Sequence, residues 1–260
     1  MIRSTFLIQQ ALIKRLLRFR LLGFMLLLIF SGCKKEQSDQ RQSEKQNKNK
    51  SAIEPQFEKG QIKPILLLEE DSYVKIIDSL LELYSNPISQ VQLVEVSCNN
   101  INDDFLSIYK KDQLVRNEGI GDMQTVDREN LQFFVSLTEQ CGFPKNQLRD
   151  FRGYLGIFLV LQHSDAKWIA HYYDDFKSII ANGKLPKNFL ALLQDRFLLL
   201  NNQPQIYGTQ IKNGRLYKMF DPKNVYQRRR QMGFQESLRV YLSRQGLKIE
   251  EEMERVTSEA

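Results

Sequence analysis

The sequence predicts a mainly α fold, a single globular helical domain with one small β-hairpin near residues 205–220. Three observations carry that expectation. From Pro64 onward apolar residues recur at spacings of three and four, the pattern of amphipathic helices, far more often than in alternation. Residues 154–161 are apolar on every side, so this segment must be buried all round and is the expected central helix. Asn213-Gly214 is a good two-residue hairpin turn, with residues 205–211 and 216–220 as its expected strands.

Taken in order, Tyr73, Ile76, Ile77, Leu80, Leu81 and Tyr84 define a first helix, with Asp71 or Ser72 as its cap. Val91, Leu93, Val94 and Val96 form a run too short to classify, and residues 98–102 read as a turn. Phe105, Leu106, Ile108, Tyr109 and Leu114 mark a second helix. Leu131, Phe134, Val135 and Thr138 mark a third, from Asp127 to the stop signals Gly142 and Pro144. Beyond the central helix, Trp168, Ile169, Tyr172, Phe176 and Ile179 lie on a helix that Asn182-Gly183 terminates. Pro186 opens the next, through Phe189, Leu192, Leu193, Phe197 and Leu200. A last helix is expected from Asp221-Pro222 toward Tyr241, leaving an acidic, frayed tail over residues 246–260. There is no internal repeat.

A chain of 260 residues with 42% hydrophobic content can bury one good core. Its formal charge of +6 is unevenly placed. Residues 1–32 hold five basic side chains and no acid, residues 33–63 hold eight basic and five acidic, and 24 basic and 26 acidic residues follow from Pro64. The folded part is therefore slightly acidic, which removes the electrostatic basis for a nucleic-acid partner.

The basic residues Arg3, Lys14, Arg15, Arg18 and Arg20 precede an apolar run over residues 21–30, which stops at Ser31, Gly32 and Cys33. Basic, then apolar, then small is the order of an export signal. Ten apolar residues fall short of the roughly 20 that cross a bilayer as a helix. Phe30-Ser31-Gly32-Cys33 resembles the lipobox of bacterial lipoproteins, with Phe30 where an aliphatic residue is more usual. The resemblance implies removal of residues 1–32, a lipid on Cys33 and a membrane partner through that lipid. Residues 33–63 are Gln, Ser, Asn, Lys and Glu with almost nothing to bury, so a disordered tether reaching about 30 Å is expected. Lys34, where an aspartate would favour inner-membrane retention in some bacteria, points to the outer membrane and leaves the leaflet open. In an oxidising compartment Cys98 and Cys141 can pair; two buried free thiols fit the sequence equally.

Several polar residues fall where the pattern expects apolar ones. At about 100° per residue, Arg196 lands in the face formed by Leu192, Leu193 and Leu200, while Arg228 and Arg229 share a face with Val225 and Met232. Buried guanidinium groups require partners, and Asp165, Asp195, Asp221, Gln205, Tyr207, Thr209 and Gln210 are near in sequence. The arginines therefore belong either to an ion-pair network that docks the hairpin on the helices or to a pocket for a ligand phosphate or carboxylate. Convergence of Arg196, Arg228, Arg229, Asp195, Tyr207 and Gln210 around the hairpin is expected in both cases. His163 and Asp165, at the end of the central helix, are weak candidates for a general base or metal ligand. His171 belongs to solvent or a rim. No nucleophile elbow, phosphate loop or metalloprotease helix is present, so no cofactor or metal is expected.

Gln162-His163-Ser164-Asp165, Asp195-Arg196, Gln205-Ile206-Tyr207-Gly208-Thr209-Gln210, Asp221-Pro222 with Val225, and Arg228-Arg229 before Gly233 together resemble the bacterial domain of unknown function 6624. Lys111-Asp112-Gln113 with Arg116, Asp127 with Asn130, and Gly142-Phe143-Pro144 are similar to its earlier blocks. The resemblance covers residues 104–245, leaving residues 64–103 as an N-terminal helical extension, and it implies no particular activity. The functional expectation is a lipid-anchored envelope protein that serves as a non-catalytic binding or structural module, with an anionic small molecule or an envelope protein as partner. The alternative is an extracytoplasmic hydrolase or lyase acting on an anionic substrate.

Overall fold

The computed structural model describes the backbone of residues 66–258 and the side chains of residues 73–258. The signal segment, Cys33 and the tether lie outside the described residues. The fold is mainly α. Its helices are α1 (Leu66–Leu81), α2 (Ile101–Asn117), α3 (Met123–Cys141), α4 (Phe151–His163), α5 (Ala166–Ala181), α6 (Asn188–Leu200), α7 (Val225–Gln231), α8 (Leu238–Arg244) and α9 (Ile249–Ser258). Strands β1 (Ile211–Lys212) and β2 (Arg215–Leu216) form an antiparallel pair in the register Ile211 to Leu216 and Lys212 to Arg215. None of the described helices is long and apolar enough to cross a membrane.

The all-round apolar segment is the central helix. Every residue from Gly153 to Gln162 is buried, and α4 packs against α2, α3, α5 and α6. Asp150 caps its N-terminus, accepting from the Arg152 amide. The closest approach is to α2: a Cβ on Gly156 would lie 2.8 Å from the Phe105 carbonyl oxygen and 3.2 Å from the Tyr109 amide nitrogen. Phe105, Phe134, Phe158, Phe176 and Phe189 fill the spaces around α4, with Phe158 meeting Phe189 edge-on at 4.9 Å between ring centres.

The segment that resisted classification is a strap along α3. Gln132, Ser136 and Gln140, spaced four apart and so on one face of the helix, bind the Gln92 carbonyl, the Val94 amide and the Val94 carbonyl at 2.8, 3.0 and 2.7 Å. Side chains of α3 thus meet backbone groups that a second strand would otherwise pair. A disulfide between Cys98 and Cys141, with Cα atoms 5.4 Å apart, fastens the end of the strap. Closing a loop of 43 residues is worth about 4 kcal/mol by chain entropy.

Four boundaries differ from expectation. Helix α1 begins at Leu66, ahead of Asp71 and Ser72. Helix α3 begins at Met123 because Asp122 caps it, its side chain accepting from the Thr125 amide at 2.8 Å, so Asp127 lies inside the helix. The expected last helix is broken: a 3-10 turn (Pro222–Asn224) leads into α7, the chain reverses at Gly233 with φ 73°, and Ser237 caps α8. The acidic tail is ordered as α9. Its Ile249 and Val256 are buried, and Glu252 accepts from the Leu216 amide at 2.9 Å.

Gly156→Ala forces α2 and α4 apart, because the added methyl meets backbone rather than a movable side chain. It is expected to lower the unfolding free energy by roughly 1–3 kcal/mol, read from the urea midpoint.

Candidate functional site

The strands expected over residues 205–211 and 216–220 shrink to two short pieces and a single bridge between Gln205 and Met219, because residues 206–209 bulge from the ladder and deliver the amides of Ile206, Tyr207 and Thr209 to Asp195. This carboxylate, fully buried on α6, accepts from the amides of Ile206 at 2.7 Å, Tyr207 at 3.1 and 3.2 Å and Thr209 at 3.0 Å, and from the Thr209 hydroxyl at 2.9 Å. Gly208 permits the turn: its φ is 71°, and a Cβ there would meet Leu238 at 3.1 Å. Burial pushes the Asp195 carboxyl above the ordinary carboxylate range, while the surrounding amides pull it down.

The loop carbonyls face cations and other donors. Arg228 donates through Nε to the Ile206 carbonyl at 2.9 Å and through Nη2 to the Phe220 and Asp221 carbonyls, each at 2.7 Å. Its Nη1 meets the Asp221 carboxylate at 3.1 Å. Asp221 is in the left-handed region at φ 40°, and these bonds hold it there. Arg229 donates to the carbonyls of Tyr207 at 2.9 Å and Glu236 at 3.0 Å, with Phe234 stacked 4.1 Å below its guanidinium. Tyr241 donates to the Thr209 carbonyl at 2.7 Å. Gln205 binds the Gln210 amide at 2.7 Å and the Gln210 and Tyr217 carbonyls at 3.0 and 2.9 Å, while the Gln210 side chain donates to the Thr209 hydroxyl at 3.1 Å. Both backbone groups of Gln205, Ile206, Tyr207, Thr209 and Gln210 are taken by protein partners.

The convergence expected around the hairpin thus forms from Asp195, Gln205, Tyr207, Thr209, Gln210, Asp221, Arg228 and Arg229. Arg196 does not join it. Successive helix residues point about 100° apart, so Asp195 facing the loop turns Arg196 toward another polar cluster, where its charge acts on Asp127 and His163.

That second cluster contains the residues that the helical arithmetic missed. Phe105, Ile108, Asp112 and Val115 run along the buried face of α2 at spacings of three and four, so Asp112 occupies a core position. One turn on, Arg116 places Nη1 2.8 Å from Asp112 Oδ1 and Nη2 2.8 and 2.9 Å from the two Asp127 oxygens. Gln113 donates to Asp112 Oδ2 at 2.8 Å and accepts from Asn117 at 3.3 Å. His163, at the C-terminal end of α4, lies with Nε2 3.8 Å from Asp112 Oδ1. Asp165 is no partner of His163: its side chain is 81% exposed and lies 4.0 Å from Lys167. His171 packs edge-on against Tyr172 at 4.6 Å. Among the described residues no group of three or more His, Cys, Asp or Glu side chains is placed to hold a metal ion.

Burial dominates the titration of this cluster. It raises the Asp112 carboxyl from 3.8 to about 6, with Arg116 and the Gln113 hydrogen bond opposing and Asp127 assisting. Burial, then Arg116 and Arg196, push His163 down from 6.5 to about 3. The imidazole is therefore neutral at physiological pH, and its approach to Asp112 is not an ion pair. A carboxyl group that ionises near pH 6 beside a neutral imidazole has the chemistry of a proton acceptor and donor close to neutrality. No family model, no curated protein and no solved structure matches the chain.

The two shifts act oppositely on stability. As pH falls from 7 to 5, the unfolded chain protonates His163 and the folded chain does not, so stability is lost; over the same range folded Asp112 gains a proton and the unfolded chain does not, so stability is regained. Asp112→Asn removes the compensation. The variant should lose roughly 2 kcal/mol between pH 7 and pH 5 where the native chain loses less than about 1 kcal/mol, measured by urea unfolding at both pH values.

Proposed function

We propose that this chain is a lipid-anchored protein of the bacterial cell envelope whose helical domain is a binding or structural module, held at the outer membrane through Cys33. The Cys98–Cys141 disulfide is the observation that carries the compartment, since such bonds persist outside the reducing cytoplasm. It joins the basic, apolar and small-residue order of residues 1–33 in support of export. The hydrogen bonding around Asp195 supports the structural half of the reading: Arg228 directs its donors to loop carbonyls and Asp221, and Arg229 directs both terminal nitrogens to the Tyr207 and Glu236 carbonyls, leaving only its buried Nε without a hydrogen-bond partner among the described residues. The partner proposed is an anionic small molecule or an envelope protein. Kinship with domain of unknown function 6624 belongs to the same proposal, because Asp112, Gln113, Arg116, Asp127, His163 and Arg196, which carry part of that resemblance, gather in the second cluster.

The second reading, an extracytoplasmic hydrolase or lyase acting on an anionic substrate, is favoured by one observation: His163 stands beside Asp112, a carboxyl whose proton exchanges near pH 6. Its partner is Asp112 rather than Asp165. Stoichiometric metal in the purified protein would favour this enzyme reading over a binding module.

Expression in bacteria with labelled palmitate tests the anchor directly. The native chain is expected to incorporate label and Cys33→Ala to incorporate none, whereas equal labelling of the two would exclude lipidation at this residue.

A further inference from the structure

Among the described residues, buried Arg116 Nη1 and His163 Nε2 have no hydrogen-bond partner, and both lie beside Asp112 Oδ1. Nη1 is close enough to Asp112 Oδ1 for Coulomb attraction but is not aligned for a hydrogen bond. The adjacent carboxylate favours the imidazole tautomer with hydrogen on Nε2, so both atoms present N–H groups. Such groups satisfy an oxygen acceptor, and leaving them unmet is costly.

The charges define the acceptor further. The groups facing Asp112 are Tyr109, Gln113 and Arg116 on its own helix, Asp127 on α3 and His163 on α4. Arg196 on α6 adds a second guanidinium charge facing Asp127 and His163. With His163 neutral, two cations stand against two carboxyl groups, and when Asp112 carries a proton the cluster has one positive charge in excess. Arg116 and Asp112 are nearly covered, with 4% and 3% of their side chains exposed, but His163 and Asp127 are 20% and 28% exposed and form an edge open to solvent.

We propose that this cluster is a binding site for a small free oxyanion, held by Arg116 and His163, whose binding is coupled to proton uptake at Asp112. Ionised Asp112 repels the anion; protonated Asp112 removes that repulsion and supplies a donor. Burial already brings the carboxyl to about 6, so the coupling operates in mildly acidic surroundings. This deepens the binding-module reading by naming a ligand class. It does not depend on the anchor, so palmitate labelling and anion binding can fail separately.

The test is calorimetric titration of the full-length protein in detergent with sodium sulfate, an anion whose charge is constant between about pH 5 and pH 7.5. Sulfate should bind roughly tenfold more tightly at the lower pH, since an anion that draws a proton to Asp112 is favoured where protons are abundant. Asp112→Asn should bind equally at both pH values, and His163→Gln should lose roughly tenfold at the lower. In the native chain the His163 ring resonances should shift as sulfate is added, a readout that needs no variant. Absence of sulfate binding to native protein at the lower pH, or affinity independent of pH, overturns the proposal. So does binding that neither substitution changes, which would be an adventitious ion only.

Discussion

A single peptide group lies between opposite charges at the centre of the C-terminal half. The peptide joining Ile206 and Tyr207 donates its N–H to Asp195 and accepts at its carbonyl from Arg228, so its dipole lies along the field between a buried carboxylate and a buried guanidinium. Neither ion could be buried alone, since an unpaired buried charge costs several kcal/mol. Arg228 also meets the Asp221 carboxylate directly, but its link to Asp195 runs through the backbone, whose conformation is therefore part of that ion pair. Neighbouring groups repeat the arrangement: the Ile206 and Thr209 amides face Asp195, and the Tyr207 carbonyl faces Arg229.

Much of the C-terminal half follows from that constraint. The loop can present the Ile206, Tyr207 and Thr209 amides to one carboxylate only by leaving the ladder between Gln205 and Gln210, which is why the strands are short. Arg228 reaches Ile206 and Phe220 only if α7 starts at Val225, and Asp221 accepts an unfavourable φ to bring the chain there. Arg229 reaches back to Glu236, closing the reversal between α7 and α8. One turn of α6 also links the two polar regions. Asp195 organises the loop while Arg196, beside it, faces Asp127 and His163, so the rigidity of the first arrangement fixes the position of a charge in the second.

The sequence made the helices legible because each carries an apolar stripe long enough to show its period, and α4 stood out by having no polar face. The inward arginines were legible for the same reason. What local patterning misses is what depends on partners distant in sequence. Residues 91–97 bind side chains of α3 some 40 residues away, and α9 is ordered by Glu252 reaching the Leu216 amide. Asp165 is the carboxylate that sequence proximity offers to His163, two residues away, whereas Asp112 approaches only when α2 packs against α4. The spacing of Phe105, Ile108, Asp112 and Val115 does put a carboxylate in an apolar row, the same kind of signal that exposed the arginines, and it was the available clue to the second cluster.

The central claim is that Asp195 orders residues 206–209 through the amides of Ile206, Tyr207 and Thr209. Amide hydrogen exchange of Ile206, Tyr207 and Thr209, compared between the native chain and Asp195→Asn, measures it most directly. The account predicts that in the native chain these three amides exchange as slowly as those of α4, and that in the variant, where an amino group replaces an accepting oxygen, they exchange at least roughly a hundredfold faster while α4 stays protected. Rapid exchange of the three amides in the native chain, or unchanged exchange in the variant, would contradict it.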